Sequence, residues 1–77
     1  MKLTLVTRND CALCIDAARA LRELRLDYDV VDVDADPALL ALYHEAVPVI
    51  LDGEREVCRA PITTATLRSA LNQVTLN

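Results

Sequence analysis

The chain has 77 residues, of which 53% are hydrophobic and 26% charged, a balance typical of one small globular domain rather than a disordered chain. Twelve acidic residues against eight basic ones give a net charge of -4, and five aspartates lie between residues 27 and 36, so a nucleic-acid partner is not expected. Phe and Trp are absent, which leaves Leu, Val, Ile and Ala to build the core.

The first half of the chain predicts a strand, a helix and a second strand. Lys2 to Val6 alternates leucine with polar residues and predicts a strand that ends in a polar turn at residues 7–10. From Cys11 to about Arg25, apolar residues recur at spacings of three and four among strong helix formers, which predicts a helix. These apolar residues are Leu13, Ala17, Ala20, Leu21 and Leu24. Asp27 to Asp34 is rich in valine and predicts an inner strand.

The middle of the chain predicts a short helix and a hairpin. Asp36 before Pro37 is typical of a helix start, and this second helix is expected to end near residues 44–45. Residues 47–51 predict a strand, and Asp52-Gly53 predicts a two-residue hairpin turn. Glu54 to Cys58 is the expected returning strand, with Cys58 on a partly exposed face as a bystander.

The last segment predicts a third helix. Pro61 ends the returning strand, and Thr63 is the expected cap of a helix with an apolar stripe. The stripe comprises Leu67, Ala70, Leu71 and Val74. The order is therefore βαβαββα. A strand, helix and strand imply a parallel pair, and the hairpin extends it antiparallel, so we expect an α/β domain over residues 1–77 with a four-stranded mixed sheet flanked by three helices.

Two cysteines at the start of the first predicted helix are the strongest candidates for chemistry. Cys11 and Cys14 are three residues apart, so at a helix start they share one face and can close a disulfide. Free N–H groups and the positive end of the helix dipole favour a thiolate there, which predicts Cys11 as the nucleophile and Cys14 as the resolving thiol. Arg8 adds a positive charge, whereas Asp10 and Asp16 oppose it.

Other interpretations of the cysteines stay open. They could be packing residues with inert thiols. Cys58 and His44 could join Cys11 and Cys14 around a metal, or two chains could share an iron–sulfur cluster, although no metal ligand is predicted. No signal-like or membrane-spanning apolar run is found, and the cysteine count is odd, so we expect a cytoplasmic protein with a reversible dithiol and no membrane partner.

The strand leading into Cys-x-x-Cys and the later Val-Pro that opens the hairpin resemble the glutaredoxin branch of the thioredoxin fold over nearly the whole chain. More narrowly, Thr7-Arg8 before Cys-x-Leu-Cys and the Val-Pro-Val at residues 47–49 resemble small bacterial glutaredoxin-like proteins. The resemblance implies that Cys11 attacks, that Cys14 resolves and that Arg8 is the basic residue before the motif.

The same resemblance implies a substrate surface beside the cysteines. Val47 and Pro48 would be joined by a cis peptide bond, and the backbone there would pair with the substrate like a strand. Leu13 stands where dithiol glutaredoxins have an aromatic residue and would offer an aliphatic surface to a protein. Cys58-Arg59-Ala60-Pro61 stands where they have a Gly-Gly-x-Asp-type glutathione clamp, so we expect poor use of glutathione and no other cofactor.

The resulting functional prediction is a monomeric thiol-disulfide oxidoreductase that acts with a disulfide-bearing protein and is reduced by a cellular thiol. The alternative is a non-catalytic thioredoxin-fold interaction module whose cysteines are structural. A metal or iron–sulfur protein is the third possibility. The reactivity of Cys11 separates the first two, because a catalytic thiol has a pKa below the free value of about 8.5.

Overall fold

The computed structural model describes the backbone of residues 2–75 and the side chains of residues 2–73. In this part of the chain the elements follow the predicted order βαβαββα. They are β1 (Lys2–Thr7), α1 (Ala12–Glu23), β2 (Asp27–Asp32), α2 (Pro37–Tyr43), β3 (Val49–Asp52), β4 (Arg55–Arg59) and α3 (Thr64–Thr75). A 3-10 helix at Val33–Ala35 joins β2 to α2.

The four strands form one mixed sheet in the order β2-β1-β3-β4. β1 pairs parallel with β2 and antiparallel with β3, which pairs antiparallel with β4. The predicted fold class is confirmed, but the inner position predicted for β2 is wrong, because β3 occupies the other side of β1. β2 also ends two residues earlier than predicted, since the Asp32 carboxylate accepts the backbone N–H of Asp34 at 2.9 Å and starts the 3-10 helix.

The sheet has a core on each face, and both cores are built from aliphatic residues as the composition predicts. The face under α1 and α3 buries Leu3, Leu5, Ala17, Ala20, Leu21, Ile50, Ile62 and Leu67. The face toward α2 buries Val6, Val33, Val49 and Leu51. In the stripe predicted for α3, Leu67 is buried, while the side chain of Val74 lies outside the described residues.

The hairpin turn lies one residue later than predicted. Asp52 pairs with Arg55, so the two-residue loop is Gly53-Glu54. Gly53 has a φ of 63°, which places the positive φ at the first loop position, as in a type II′ turn. A type I′ turn over Asp52-Gly53 would need positive φ at both residues, and Asp52 instead continues the strand.

A β-bulge in β4 changes the expected alternation of its side chains. Ile50 pairs with Cys58, but the next residue, Leu51, pairs with Glu56, so Val57 is the extra residue. As a result, Val57 and Cys58 both pack against the core under α1 and α3. A regular strand would place Cys58 on the same outward face as Glu56, but the bulge turns Cys58 toward the core.

Both predicted N-terminal caps are present. Asp36 caps α2 through its carboxylate, which accepts the backbone N–H groups of Ala38 and Leu39 at 3.0 and 3.2 Å. Thr63 caps α3 reciprocally with Thr66: each hydroxyl accepts the backbone N–H of the other residue, at 3.1 and 2.9 Å. These bonds satisfy N–H groups that a helix start leaves without partners.

The end of α1 has a Schellman motif without glycine. The N–H of Leu26 donates to the C=O of Leu21, and the N–H of Arg25 donates to the C=O of Arg22, both at 3.0 Å. Arg25 has a φ of 57°, a conformation that glycine adopts at lower cost.

Across residues 2–75, none of the helices combines the length and the apolar character that crossing a membrane would require.

Candidate active site at the start of the first helix

The candidate site lies where the central strand β1 ends and α1 begins. A short turn follows Thr7, and Asp10 has a φ of 57°, a left-handed conformation that aspartate tolerates. Cys11 then forms the N-cap of α1 in an extended conformation, with φ of -116° and ψ of 105°. Its C=O accepts the N–H of Ile15 at 3.2 Å. The first cysteine is thus fixed at the positive end of the helix.

Cys11 and Cys14 are joined by a disulfide in this structure. Their Cα atoms are 5.2 Å apart, within the range of ordinary disulfides. The backbone N–H of Cys14 donates to the Sγ of Cys11 at 3.2 Å. Cys11 is partly exposed, whereas Cys14 is only 4% exposed. An incoming group therefore reaches the first sulfur more easily than the second.

Two large apolar side chains near Cys11 in the sequence are exposed, and others line a groove beside it. Leu13 is 51% and Ile15 is 59% exposed, although both belong to the first turn of α1. A shallow groove beside Cys11 is lined by Ile15 and Ala18 of α1 and by Val30 of β2. The apolar spacing that predicts α1 includes Leu13. In the structure, however, the face of α1 that packs against the core carries Cys14, Ala17, Ala20 and Leu21. Leu13 and Ile15 are therefore free to contact a partner.

Arg8 lies at the polar end of this groove, yet its guanidinium pairs with a carboxylate and not with sulfur. Its Nε donates to Asp34 Oδ2 at 3.0 Å, and its Nη2 donates to Asp34 Oδ1 at 3.1 Å. The pair lowers the pKa of Asp34, mainly through the hydrogen bond from Arg8. No local sequence pattern predicts this partner, because the two residues are 26 positions apart.

The Val47-Pro48 bond is cis, as the resemblance implies, and Ala60-Pro61 is cis as well. Pro48 is buried, and its C=O accepts the N–H of Ala60 at 3.2 Å. Among the described residues, none hydrogen-bonds to the backbone of Val47, which precedes β3. The substrate-contact roles of Arg8, Leu13, Val47 and Pro48 stay predictions.

Comparison with known proteins places this architecture in a family. The family model of the "Glutaredoxin-like domain (DUF836)" matches residues 2–72. The chain belongs to the glutaredoxin-like family. The curated "Glutaredoxin-like protein NrdH" of Escherichia coli K12 is 34% identical over 58 residues, which are 70% of this chain and 72% of the relative. The family and the bonded cysteine pair together indicate a thiol-disulfide redox protein.

Two solved structures support the assignment of this glutaredoxin-like chain. Protein XcR50 from X. campestris superposes with a TM-score of 0.81 at 37% identity, covering 92% of this chain and 96% of that one. The E. coli protein described as "the glutaredoxin-like protein NrdH-redoxin" superposes with a TM-score of 0.60 at 33% identity, covering 73% of this chain and 79% of that one. The fold of the glutaredoxin branch is thereby confirmed.

The third cysteine of the glutaredoxin-like chain lies apart from the pair. Cys58 is a half-buried free thiol in β4. Burial raises the pKa of Cys58, and the negative charge of Glu56 raises it further. Among the residues described, no three His, Cys, Asp or Glu side chains gather into a group that could hold a metal ion. The alternative ligand set of Cys11, Cys14, Cys58 and His44 is therefore not assembled.

The raised pKa of Cys58 leads to a testable prediction. In reduced protein at pH 8, we expect iodoacetamide to alkylate Cys58 more slowly than Cys11, because less of the buried thiol is ionised. Glu56→Gln removes the nearby negative charge, so the pKa of Cys58 should fall and its alkylation should accelerate by about twofold. Peptide mapping by mass spectrometry reports both rates.

Glu54→Gln is the matched control, because it removes the same charge from the exposed hairpin loop. We expect no change in Cys58 reactivity in that variant. Equal acceleration in both variants would show that overall charge, and not the neighbouring Glu56, affects the thiol.

Proposed function

We propose that this glutaredoxin-like protein reduces disulfides of a protein partner, with Cys11 as the nucleophile and Cys14 as the resolving cysteine. One observation carries the assignment: the partly exposed Sγ of Cys11 lies at the N-cap of α1 and accepts the N–H of Cys14 at 3.2 Å. After reduction, that donor and the helix dipole stabilise the thiolate and lower its pKa.

The proposed reaction has two exchange steps. The Cys11 thiolate attacks one sulfur of the partner's disulfide, that bond breaks, and the other partner sulfur leaves as a thiolate that takes up a proton. The Cys14 thiol then loses its proton to solvent, and the resulting thiolate attacks the Cys11 sulfur of the mixed disulfide, so that the second partner sulfur leaves as a thiolate and takes up a proton. The partner gains two electrons, and the Cys11–Cys14 dithiol loses them. A cellular thiol reductant supplies two electrons and returns the protein to its reduced form.

By its resemblance to glutaredoxins, the chain is proposed to bind a polypeptide along Val47 and the first turn of α1. The unpaired backbone of Val47 offers an N–H and a C=O to an extended segment. Leu13 and Ile15 add apolar contact area on the helix side. The similar glutaredoxin-like protein NrdH-redoxin of E. coli is described as having a "thioredoxin-like activity profile", which supports a protein disulfide as the substrate class here.

Glutathione is proposed to be a poor substrate. Pro61 has no N–H, and the N–H groups of Thr63 and Thr66 at the start of α3 already donate to each other's hydroxyls. These two N–H groups are therefore not available to bind the γ-glutamyl carboxylate. The net charge of -4 also disfavours an anionic tripeptide. We further propose that residues 1–77 act as one monomeric domain in the cytoplasm, with no cofactor.

The pH dependence of thiol alkylation tests the proposal. The protein is reduced, freed of reductant and treated with iodoacetamide between pH 5 and 9, and peptide mapping follows each cysteine. We expect Cys11 to react with a midpoint below the free-cysteine value of about 8.5, with Cys58 in the same sample as the internal control. A Cys11 midpoint at or above that value would favour the interaction module.

A second measurement tests the substrate class. The oxidised protein is reduced side by side by a thioredoxin system and by glutathione, and we expect the thioredoxin system to be the faster reductant. Rapid, sustained turnover in a glutathione-dependent mixed-disulfide assay would contradict the proposal of poor glutathione use, while leaving the roles of the two cysteines intact.

A further inference from the structure

The ion pair between Arg8 and Asp34 lies at the same end of the sheet as the cysteines. Thr7 and Asp32 are opposite each other in the parallel ladder of β1 and β2, so the residues that follow both strands emerge side by side. Arg8 follows β1 and lines the groove beside Cys11. Asp34 belongs to the 3-10 helix after β2. The pair therefore joins the turn that carries Cys11 to a neighbouring element.

The backbone of Asp34 is fixed by a hydrogen bond that does not involve the arginine. Its backbone N–H donates to the Asp32 carboxylate at 2.9 Å, which fixes the first turn of the 3-10 helix. Both oxygens of Asp34 then accept from Arg8, at 3.0 and 3.1 Å. Within the part of the chain that the structure describes, Asp34 is the only hydrogen-bonding partner of this guanidinium. A two-point contact fixes the orientation of a planar guanidinium as well as its position.

The pair keeps the Arg8 guanidinium bonded to a carboxylate at the end of the groove that Cys11 also lines. Arg8 is three residues before Cys11, and a guanidinium that contacts a thiolate lowers the pKa of the thiol. While Nε and Nη2 are bonded to Asp34, they are not available to the sulfur.

We infer that Asp34 is a positioning residue that limits the reactivity of Cys11 by holding the Arg8 guanidinium away from the thiolate. The inference rests on the proposed function of Cys11 as the nucleophile. Other charged groups lie near this ion pair. Asp10 lines the groove, Asp32 and Glu45 raise the pKa of Arg8, and His44 lowers the pKa of Asp34. They are common to all variants below.

The test compares Asp34→Asn with wild type. The amide keeps the shape of the side chain and removes its charge, and among the described residues the carboxylate bonds only to Arg8. At pH 6 and low ionic strength we expect Cys11 of the reduced variant to alkylate about three times faster, with a lower midpoint in its pH profile. Asp34→Glu restores a carboxylate and should return the profile toward that of wild type.

Two further variants separate positioning from the simple loss of a charge. Asp29→Asn removes the same charge from β2. Asp29 lies opposite Thr4 of β1 and pairs with Lys2 at 3.6 Å, not with Arg8, so no change in the alkylation of Cys11 is expected. In an Arg8→Gln background, Asp34→Asn has no Arg8 guanidinium to release. There the acceleration should fall below about 1.5-fold, which is the direct effect of the carboxylate alone.

The outcomes distinguish this inference from the proposed function. An unchanged or slower Cys11 in Asp34→Asn, or the same acceleration with and without Arg8, would overturn the role of Asp34. A wild-type Cys11 that reacts no faster than Cys58 would instead overturn the nucleophile assignment. Circular dichroism of each variant confirms that the fold is retained, as expected for an exposed side chain.

Discussion

Replacement of Cys14 by serine should stop turnover and leave the partner bound to Cys11 as a mixed disulfide. Cys11 remains exposed and can attack, but the group that breaks the mixed disulfide from within is gone. We expect stoichiometric capture of a disulfide-bearing test protein such as insulin, visible on a non-reducing gel and reversed by dithiothreitol. Serine is nearly the size of cysteine, so the buried site should be filled without collapse.

Two other serine variants complete this experiment. Cys11→Ser should neither turn over nor capture the test protein, because a serine hydroxyl is not ionised at neutral pH and does not attack a disulfide. Cys58→Ser should retain full turnover. Capture by Cys11→Ser, through Cys14 or Cys58, would show that the nucleophile has been assigned to the wrong sulfur.

Replacement of Leu21 by alanine should lower the free energy of unfolding by about 2–5 kcal/mol. Leu21 is fully buried on the inner face of α1, in the core under that helix. A chain of this size is stable by only about 4–12 kcal/mol, so the loss is a large part of the total. Urea denaturation followed by circular dichroism, with the cysteine pair in one defined redox state, measures the change.

Leu42→Ala is the matched control for the loss of leucine. Leu42 lies in α2 and is 70% exposed, so its truncation leaves no cavity. We expect a change within about 0.5 kcal/mol. Similar losses in the two variants would mean that the core under α1 does not provide the main stabilisation of the fold.

The sequence predicts the elements of this fold well where a local pattern determines them. α1 follows from the spacing of Ala17, Ala20 and Leu21, and the starts of α2 and α3 follow from capping residues that bond as expected. The position of β2 in the sheet does not follow from such a local pattern. Strand order depends on which strands pair with β1 and not on the composition of β2. Its valines favour a strand at the edge as well as in the middle.

Features that depend on contacts between distant segments were not predictable. The bulge at Val57 arises from the pairing of β3 with β4, and it determines that Cys58 turns inward. Arg25 ends α1 in a left-handed conformation that sequence rules assign to glycine. Several aspartates lie close together in the sequence, and only the fold determines that Arg8 pairs with Asp34. Aspartates of the acidic segment thus act as helix caps and as ion-pair partners.

The central place of β1 has a consequence for the motion of the cysteines. β1 is hydrogen-bonded by β2 on one side and by β3 on the other, and its three apolar residues Leu3, Leu5 and Val6 are buried. Backbone amides in such a strand exchange with solvent only in rare, near-global openings, whereas edge strands and loops open often. Since Cys11 follows β1 by a short turn, the proposed nucleophile is attached to the part of the molecule that is expected to exchange most slowly. Hydrogen exchange followed by mass spectrometry should therefore find the amides of β1 among the best protected of the chain.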